Sequence, residues 1–185
     1  MKEYSLSAVF LHYLESEKPN GIQKRIAEFI AFENLSRDAF DNLLKEEGIK
    51  DVQLKEILLD QVLLYAQKCV KDHELTDDEQ KNLLLLNILF RIKEGDFLNF
   101  RKRVVQHILS TQISKILHDR LITKPEEILL ADLQRIFGLN VSQYTNLIQP
   151  SIETHIKELE VWGSHCQSLE EKERIQTCIR VLSSI

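Results

Sequence analysis

Residues 52–71 run without a glycine or a proline, and Leu54, Ile57, Leu58, Val62, Tyr65 and Cys69 recur at spacings of three and four. That is the period of a helix with one apolar stripe, held for about five turns. The same spacing returns almost everywhere else in the chain. With 5 Gly and 3 Pro in 185 residues, the sequence lacks the turn formers that an all-β fold needs. The expectation is an all-α fold, a compact bundle of about eight or nine helices.

The punctuation divides these helices. A first helix is expected over residues 6–15, with Val9, Phe10, Tyr13 and Leu14 inward, until Pro19-Asn20-Gly21 breaks it. A second covers 22–33 on Ile26, Phe29 and Ile30, and a third starts at Ser36, carries Phe40, Leu43 and Leu44, and stops at Gly48. After the helix over 52–71, a fifth opens behind Thr76 and runs to Glu94, closed by Gly95-Asp96. Helices over 97–118 and 125–137 follow, with Gly138-Leu139-Asn140 as a C-cap. Pro150 is expected to start, kink or split the next helix. In the tail Ser168-Leu169-Glu170-Glu171 forms a capping box ahead of Ile175, Cys178, Ile179 and Leu182. The organisation read from this is an N-terminal helical segment (1–50), a core (51–163) and a C-terminal helix (164–185).

Composition excludes some classes. Hydrophobic residues at 43% and charged residues at 29% are ordinary for a globular domain, which argues against disorder. A net charge of −5 argues against a general nucleic-acid binder. Three cysteines with no CxxC pair (Cys69, Cys166 and Cys178) fit reduced thiols in a cytoplasm. No run approaches the ~18 apolar residues of a membrane span. The greasiest stretch, Leu83 to Phe90, is broken by Asn87 and ended by Arg91. Glu3 and the lack of a basic region before an apolar one give no signal peptide, so a cytoplasmic location is expected.

One signal occurs twice. Asp72-His73-Glu74-Leu75-Thr76-Asp77-Asp78-Glu79 aligns without a gap on Asp119-Arg120-Leu121-Ile122-Thr123-Lys124-Pro125-Glu126, 47 residues on. Thr76 with Glu79, and Thr123 with Glu126, have capping-box spacing, and each cap contributes about 1 kcal/mol. Asp77, Asp78 and Glu79 also set negative charge against a helix N-terminus. Capping accounts for Thr and Glu; it leaves the leading Asp72 and Asp119 unexplained. The alternative is a hard divalent cation (calcium, manganese or magnesium) held by oxygens of Asp72, Glu74, Asp77, Asp78 and Glu79, and more weakly by Asp119 and Glu126. Lys124 and Arg120 thin the second acidic turn, so the cation reading favours the first.

The doubled Asp-x-x-[Leu/Ile]-Thr-x-x-Glu between helices resembles the tellurite-resistance TerB-like family of small helical domains. The likeness extends over about residues 52–150, through Leu129, Leu133, Phe137-Gly138-Leu139 and Ser142-Gln143-Tyr144. It implies two pseudo-symmetric helical halves, a divalent-cation site at the acidic turns, and a sensing or protein-interaction role in bacterial stress or defence. The family pattern has Gly after the Asp, where this chain has His73 and Arg120.

Other constellations are weaker. His73-Glu74-Leu75-Thr76-Asp77 lacks the second His of a zinc protease, and the bundle has no Glu-x-x-His pairs for di-iron. His155, His165, Cys166 and Cys178 fit no common zinc spacing, and no phosphate loop or nucleophile motif occurs. Arg101-Lys102-Arg103, near Arg91 and Lys93, is the main basic cluster; Arg101 and Arg103 are its candidate partner contacts, although a solvated helix face is the plainer reading. Trp162 reads as core or as an exposed partner anchor, with core the safer reading. Together these point to a non-catalytic module that binds another protein. An accessory domain of an enzyme complex and a weak nucleic-acid contact are the alternatives.

Overall fold

The computed structural model describes residues 4–48, 51–72, 75–118 and 124–183. Among them are nine α-helices and no strand: α1 Leu6–Ser16, α2 Gly21–Phe32, α3 Arg37–Glu46, α4 Asp51–Cys69 with a 3-10 turn Val70–Asp72, α5 Asp77–Leu89, α6 Asp96–His118, α7 Lys124–Ile136, α8 Val141–His165 and α9 Leu169–Leu182. The all-α expectation is met. None of these helices is long and apolar enough to cross a membrane. The chain forms two compact units, Met1–Lys102 with Ile136–Gly138, and Arg103–Arg135 with Leu139–Ile185. The division falls inside α6, just past Arg101, whose φ of −136° and ψ of 26° are not helical.

In the first unit α1 lies along α2. Ser5 starts α1 by accepting the Ala8 N–H, and Ser36 starts α3 by accepting the Ala39 N–H, as the Ser36 cap expects. Phe10, Ile26 and Phe29 are fully buried, each stabilising the fold by about 1.5–3 kcal/mol. Phe40 of α3 sits between two rings, 5.6 Å from Phe29 and 5.2 Å from Phe90 between centroids. Phe97 of α6 meets Phe137 edge-on at 5.3 Å.

The end of α5 corrects the sequence expectation. The helix stops at Leu89, not Glu94. Arg91 turns left-handed at φ 52°, the Ile92 N–H reaches back to the Asn87 carbonyl, and the Arg91 N–H to that of Ile88. This is a Schellman ending with arginine where glycine is usual, at a steric cost of roughly 1–2 kcal/mol. Arg91 is held there by its own bonds: Nη2 donates to both Asp41 carboxylate oxygens at 2.8 Å, and its carbonyl accepts from Lys55 Nζ. Gly95, expected to close this helix, instead leads into α6, its carbonyl accepting the Asn99 N–H.

Asp96, the first residue of α6, accepts from Lys55 Nζ and from the Lys93 N–H, both at 2.7 Å. Burial alone raises its pKa; those two hydrogen bonds outweigh burial and leave it below the usual carboxylate value. A lowered folded pKa stabilises the fold above the unfolded pKa, and that contribution is lost as pH falls through the folded value. Asp96→Asn is therefore expected to flatten the decline of melting temperature below about pH 4, and an unchanged slope contradicts the assignment.

In the second unit α8 packs against α9. Asn140 starts α8 with a reciprocal box, its Oδ1 accepting the Gln143 N–H while its own N–H reaches Gln143 Oε1, both at 2.9 Å. Pro150 neither starts nor splits this helix; it lies within it. An interior proline costs about 3 kcal/mol, since Asn146 loses its i+4 donor. The same helix buries Leu147, Ile148, Ile152 and Leu159 on one stripe, which offsets that cost, and Pro150 is exposed on the open side. Gly163 faces Ile175: a Cβ there stands 3.4 Å from Ile175 Cγ2, ordinary contact. Gly163→Ala is expected to raise stability by about 0.5–1 kcal/mol, read as a higher melting temperature. A lower melting temperature contradicts that packing.

The repeat extends well past the eight residues that announce it. α5 and α7 are both 13 residues long, and their starts (Asp77, Lys124) and ends (Leu89, Ile136) are each separated by 47 residues, the offset of the motif. Arg91 and Gly138, both left-handed, keep that offset, and Leu139 repeats the bond of Ile92 by reaching the Gln134 carbonyl. In the preceding helices Leu58, Val62, Tyr65 and Ala66 are buried, as are their equivalents Val105, Leu109, Gln112 and Ile113. The pseudo-repeated helix–turn–helix expected from sequence is present in local structure.

Candidate functional sites

At the first acidic turn, Thr76 and Glu79 form the full capping box. The Glu79 N–H donates to Thr76 Oγ1 at 3.2 Å, and the Thr76 N–H to Glu79 Oε2 at 3.0 Å. Glu79 does more than cap. It is 1% exposed, and its other oxygen accepts the Tyr4 N–H at 2.9 Å. The Tyr4 carbonyl accepts from the Tyr65 hydroxyl at 2.5 Å, and that hydroxyl accepts from Asn82 Nδ2 at 3.0 Å. Burial, first of all, drives the Tyr65 pKa far upward, fixing the phenol as a donor. One buried network thus ties the segment before α1 to α4 and α5.

The remaining acids of that turn stand apart from Glu79. Asp77 and Asp78 are exposed, and Asp78 Oδ1 pairs with Lys81 at 3.0 Å. Glu74 and Asp119 lie outside the described residues, as do the side chains of Asp72 and Glu126. Among the described residues no three His, Cys, Asp or Glu side chains gather in a metal-holding group. The described donors alone do not fit a divalent-cation site, because Glu79 already uses both oxygens on backbone N–H groups while its neighbours face solvent.

The basic cluster also divides. Arg101 grips Asp60 with a two-pronged contact, Nε to Oδ1 at 2.5 Å and Nη2 to Oδ2 at 2.8 Å, and Nη1 donates to Glu56 at 2.7 Å. The Asp60 bond first, then Glu56, raises its pKa against the effect of burial. Its side chain is 19% exposed, so the guanidinium is committed to α4. Arg103 is exposed and has no ion pair among the described residues.

Arg103 opens a groove of about 970 Å³ within the second unit. α6 lines one wall with Arg103, His107, Ser110 and Ser114, one face at helical spacing. α8 lines the other with Ser151, His155, Leu159 and Trp162, again one face. The His155 side chain is 15% exposed; its Nδ1 lies 3.4 Å from Glu158 Oε2, and its Nε2 is buried without a hydrogen-bond partner. Trp162, for which the sequence allows core or partner anchor and favours core, is half-buried on this wall.

Compared with known proteins, no family model, no curated protein and no solved structure matches this chain. The TerB-like likeness rests on the motifs alone.

No disulfide joins the three cysteines. Cys166 Sγ donates to Glu171 Oε2 at 2.9 Å, and that bond, ahead of burial, raises its pKa, so it stays a protonated thiol. The groove was the feature hardest to see in the sequence. Arg103 and His155 stand 52 positions apart, and only the helical register of α6 and α8 puts each on a shared face with its neighbours.

Proposed function

We propose that this chain is a non-catalytic interaction module that receives a segment of another protein in the α6–α8 groove. The groove carries the reading. Its walls run over similar stretches, from Arg103 to Ser114 and from Pro150 to Trp162, each about 16–18 Å at the helical rise. That is the length of about three helical turns, the scale of helix-in-groove recognition. The lining mixes hydroxyls, imidazoles and one guanidinium over Leu159 and Trp162, a surface suited to holding a partner more than to bond-breaking. The TerB-like resemblance of residues 52–150 supports looking for that partner in a bacterial stress or defence system. The cytoplasm, where reduced thiols persist, is the compartment this reading assumes.

A photo-crosslinking residue placed at His107 or Ser151, with Arg174 as an exposed control, tests it in cells. The groove positions are expected to give protein adducts that the control does not. Equal adducts at all three, or protein adducts at none, overturn the reading.

A further inference from the structure

We infer that the occupant of the groove is an acidic amphipathic helix, with carboxylates toward Arg103 and an apolar residue toward Leu159 and Trp162. The inference rests on the groove being the working surface and adds the chemistry of what fills it. Charge is the first ground. Arg103 is the one arginine of the groove lining, and Glu158 is its one carboxylate. Glu158 is already turned to His155, and its side chain is 69% exposed. The contrast with Arg101 sharpens the point. Two residues earlier on the same helix, Arg101 has Asp60 and Glu56; Arg103 has neither. A charged guanidinium beside a groove gains most from a carboxylate that arrives with a partner.

The second ground is an unmet hydrogen bond. His155 Nε2 is buried with no partner in the folded chain, and a buried polar atom left so costs about 1–3 kcal/mol. With Nδ1 turned to the Glu158 carboxylate, Nε2 is left as an acceptor, and an incoming hydroxyl or amide N–H satisfies it. The third is the apolar floor: Leu159 is 3% exposed and Trp162 half-buried beside it, an anchor of the kind that dominates interface energetics. A neutral segment meets the floor but leaves Arg103 without a carboxylate, and a basic one repels it; walls about three helical turns long suit a helix. A helix with acids on one side of an apolar stripe, and a hydroxyl or amide toward His155, meets all three.

The test uses the full chain and its one tryptophan, Trp162, as the reporter. A display library of random peptides of about 16 residues, enough for three turns and a fraying end on each side, is selected on the wild type. Selected peptides are then titrated into the wild type, Arg103→Glu and Arg103→Lys while Trp162 emission is followed. Acid-rich peptides of helical period are expected to win and to shift the emission. Arg103→Glu is expected to weaken them about tenfold or more, and Arg103→Lys less, since charge remains while the fork is lost. Arg103 is exposed, and circular dichroism of both variants checks that the fold is kept. Winners that are neutral or basic, or that bind Arg103→Glu as well as wild type while still shifting Trp162, overturn the acidic helix and leave the groove. A selection that yields nothing, or winners that leave Trp162 emission unmoved, overturns the groove itself. A duplex oligonucleotide that shifts Trp162 where no peptide does overturns both in favour of nucleic acid.

Discussion

Phe40→Ala is expected to destabilise the first unit by about 3–5 kcal/mol, the largest single loss among the substitutions considered. Phe40 is 3% exposed and is the middle ring of three, so truncation opens a void against both Phe29 and Phe90. α3 buries little else: Leu43 is its other buried residue. The remaining tie between α3 and the Arg91 turn is the Asp41–Arg91 pair, which is more than half exposed on the arginine side and contributes at most about 1 kcal/mol. The short amphipathic α3 therefore rests chiefly on Phe40 and Leu43, and Phe40 is the larger of the two. Because the chain has two compact units, the loss is read on the transition of the first unit, by amide hydrogen exchange of Leu43 and Phe29. A change below about 1 kcal/mol contradicts the three-ring packing.

Glu79→Ala comes next, at about 2–3 kcal/mol, above the ~1 kcal/mol that a helix cap alone contributes. The excess is the Tyr4 N–H, left without its acceptor, and the loosened Tyr4–Tyr65–Asn82 chain of hydrogen bonds. Thr76→Ala, which touches only the cap, is expected near 1 kcal/mol, and Tyr65→Phe between the two. Pairing Glu79→Ala with Tyr65→Phe is expected to cost less than the separate losses together, since both act through the Tyr4 peptide. The same series separates capping from cation binding. If calcium or manganese raises the wild-type melting temperature, and Glu79→Ala loses only that increment and nothing in a chelator, then Glu79 is a ligand. If the loss is the same with and without chelator, it is a structural carboxylate.

The helical fold was legible because it is written in a local code. Spacings of three and four with few breakers give helices whose bounds the structure shifts by only a residue or two at most ends. Where the reading slipped, a long-range contact overrode a local rule. Nothing in the sequence around Arg91 announces a left-handed turn, because its partners Asp41 and Lys55 come from other helices. Pro150 is tolerated inside α8 because it lies on the exposed side of a helix anchored by its opposite stripe. The acidic turn shows the same limit in the candidate sites. The Thr76–Glu79 box was readable from spacing alone. The engagement of Glu79 with Tyr4, 75 residues away, was not. Arg101 and Arg103 are alike in sequence; Asp60 and Glu56 on α4 make one of them structural.

The proposal that the α6–α8 groove is the working surface of the chain requires a bound partner to cover Trp162. It is tested most directly by acrylamide quenching of Trp162, free and in complex with the protein captured at Ser151. The complex is expected to shield Trp162, with quenching cut severalfold and emission moved to shorter wavelength, and Arg103→Glu is expected to abolish the change at the same partner concentration. Quenching that is identical in the free chain and the saturated complex would contradict it.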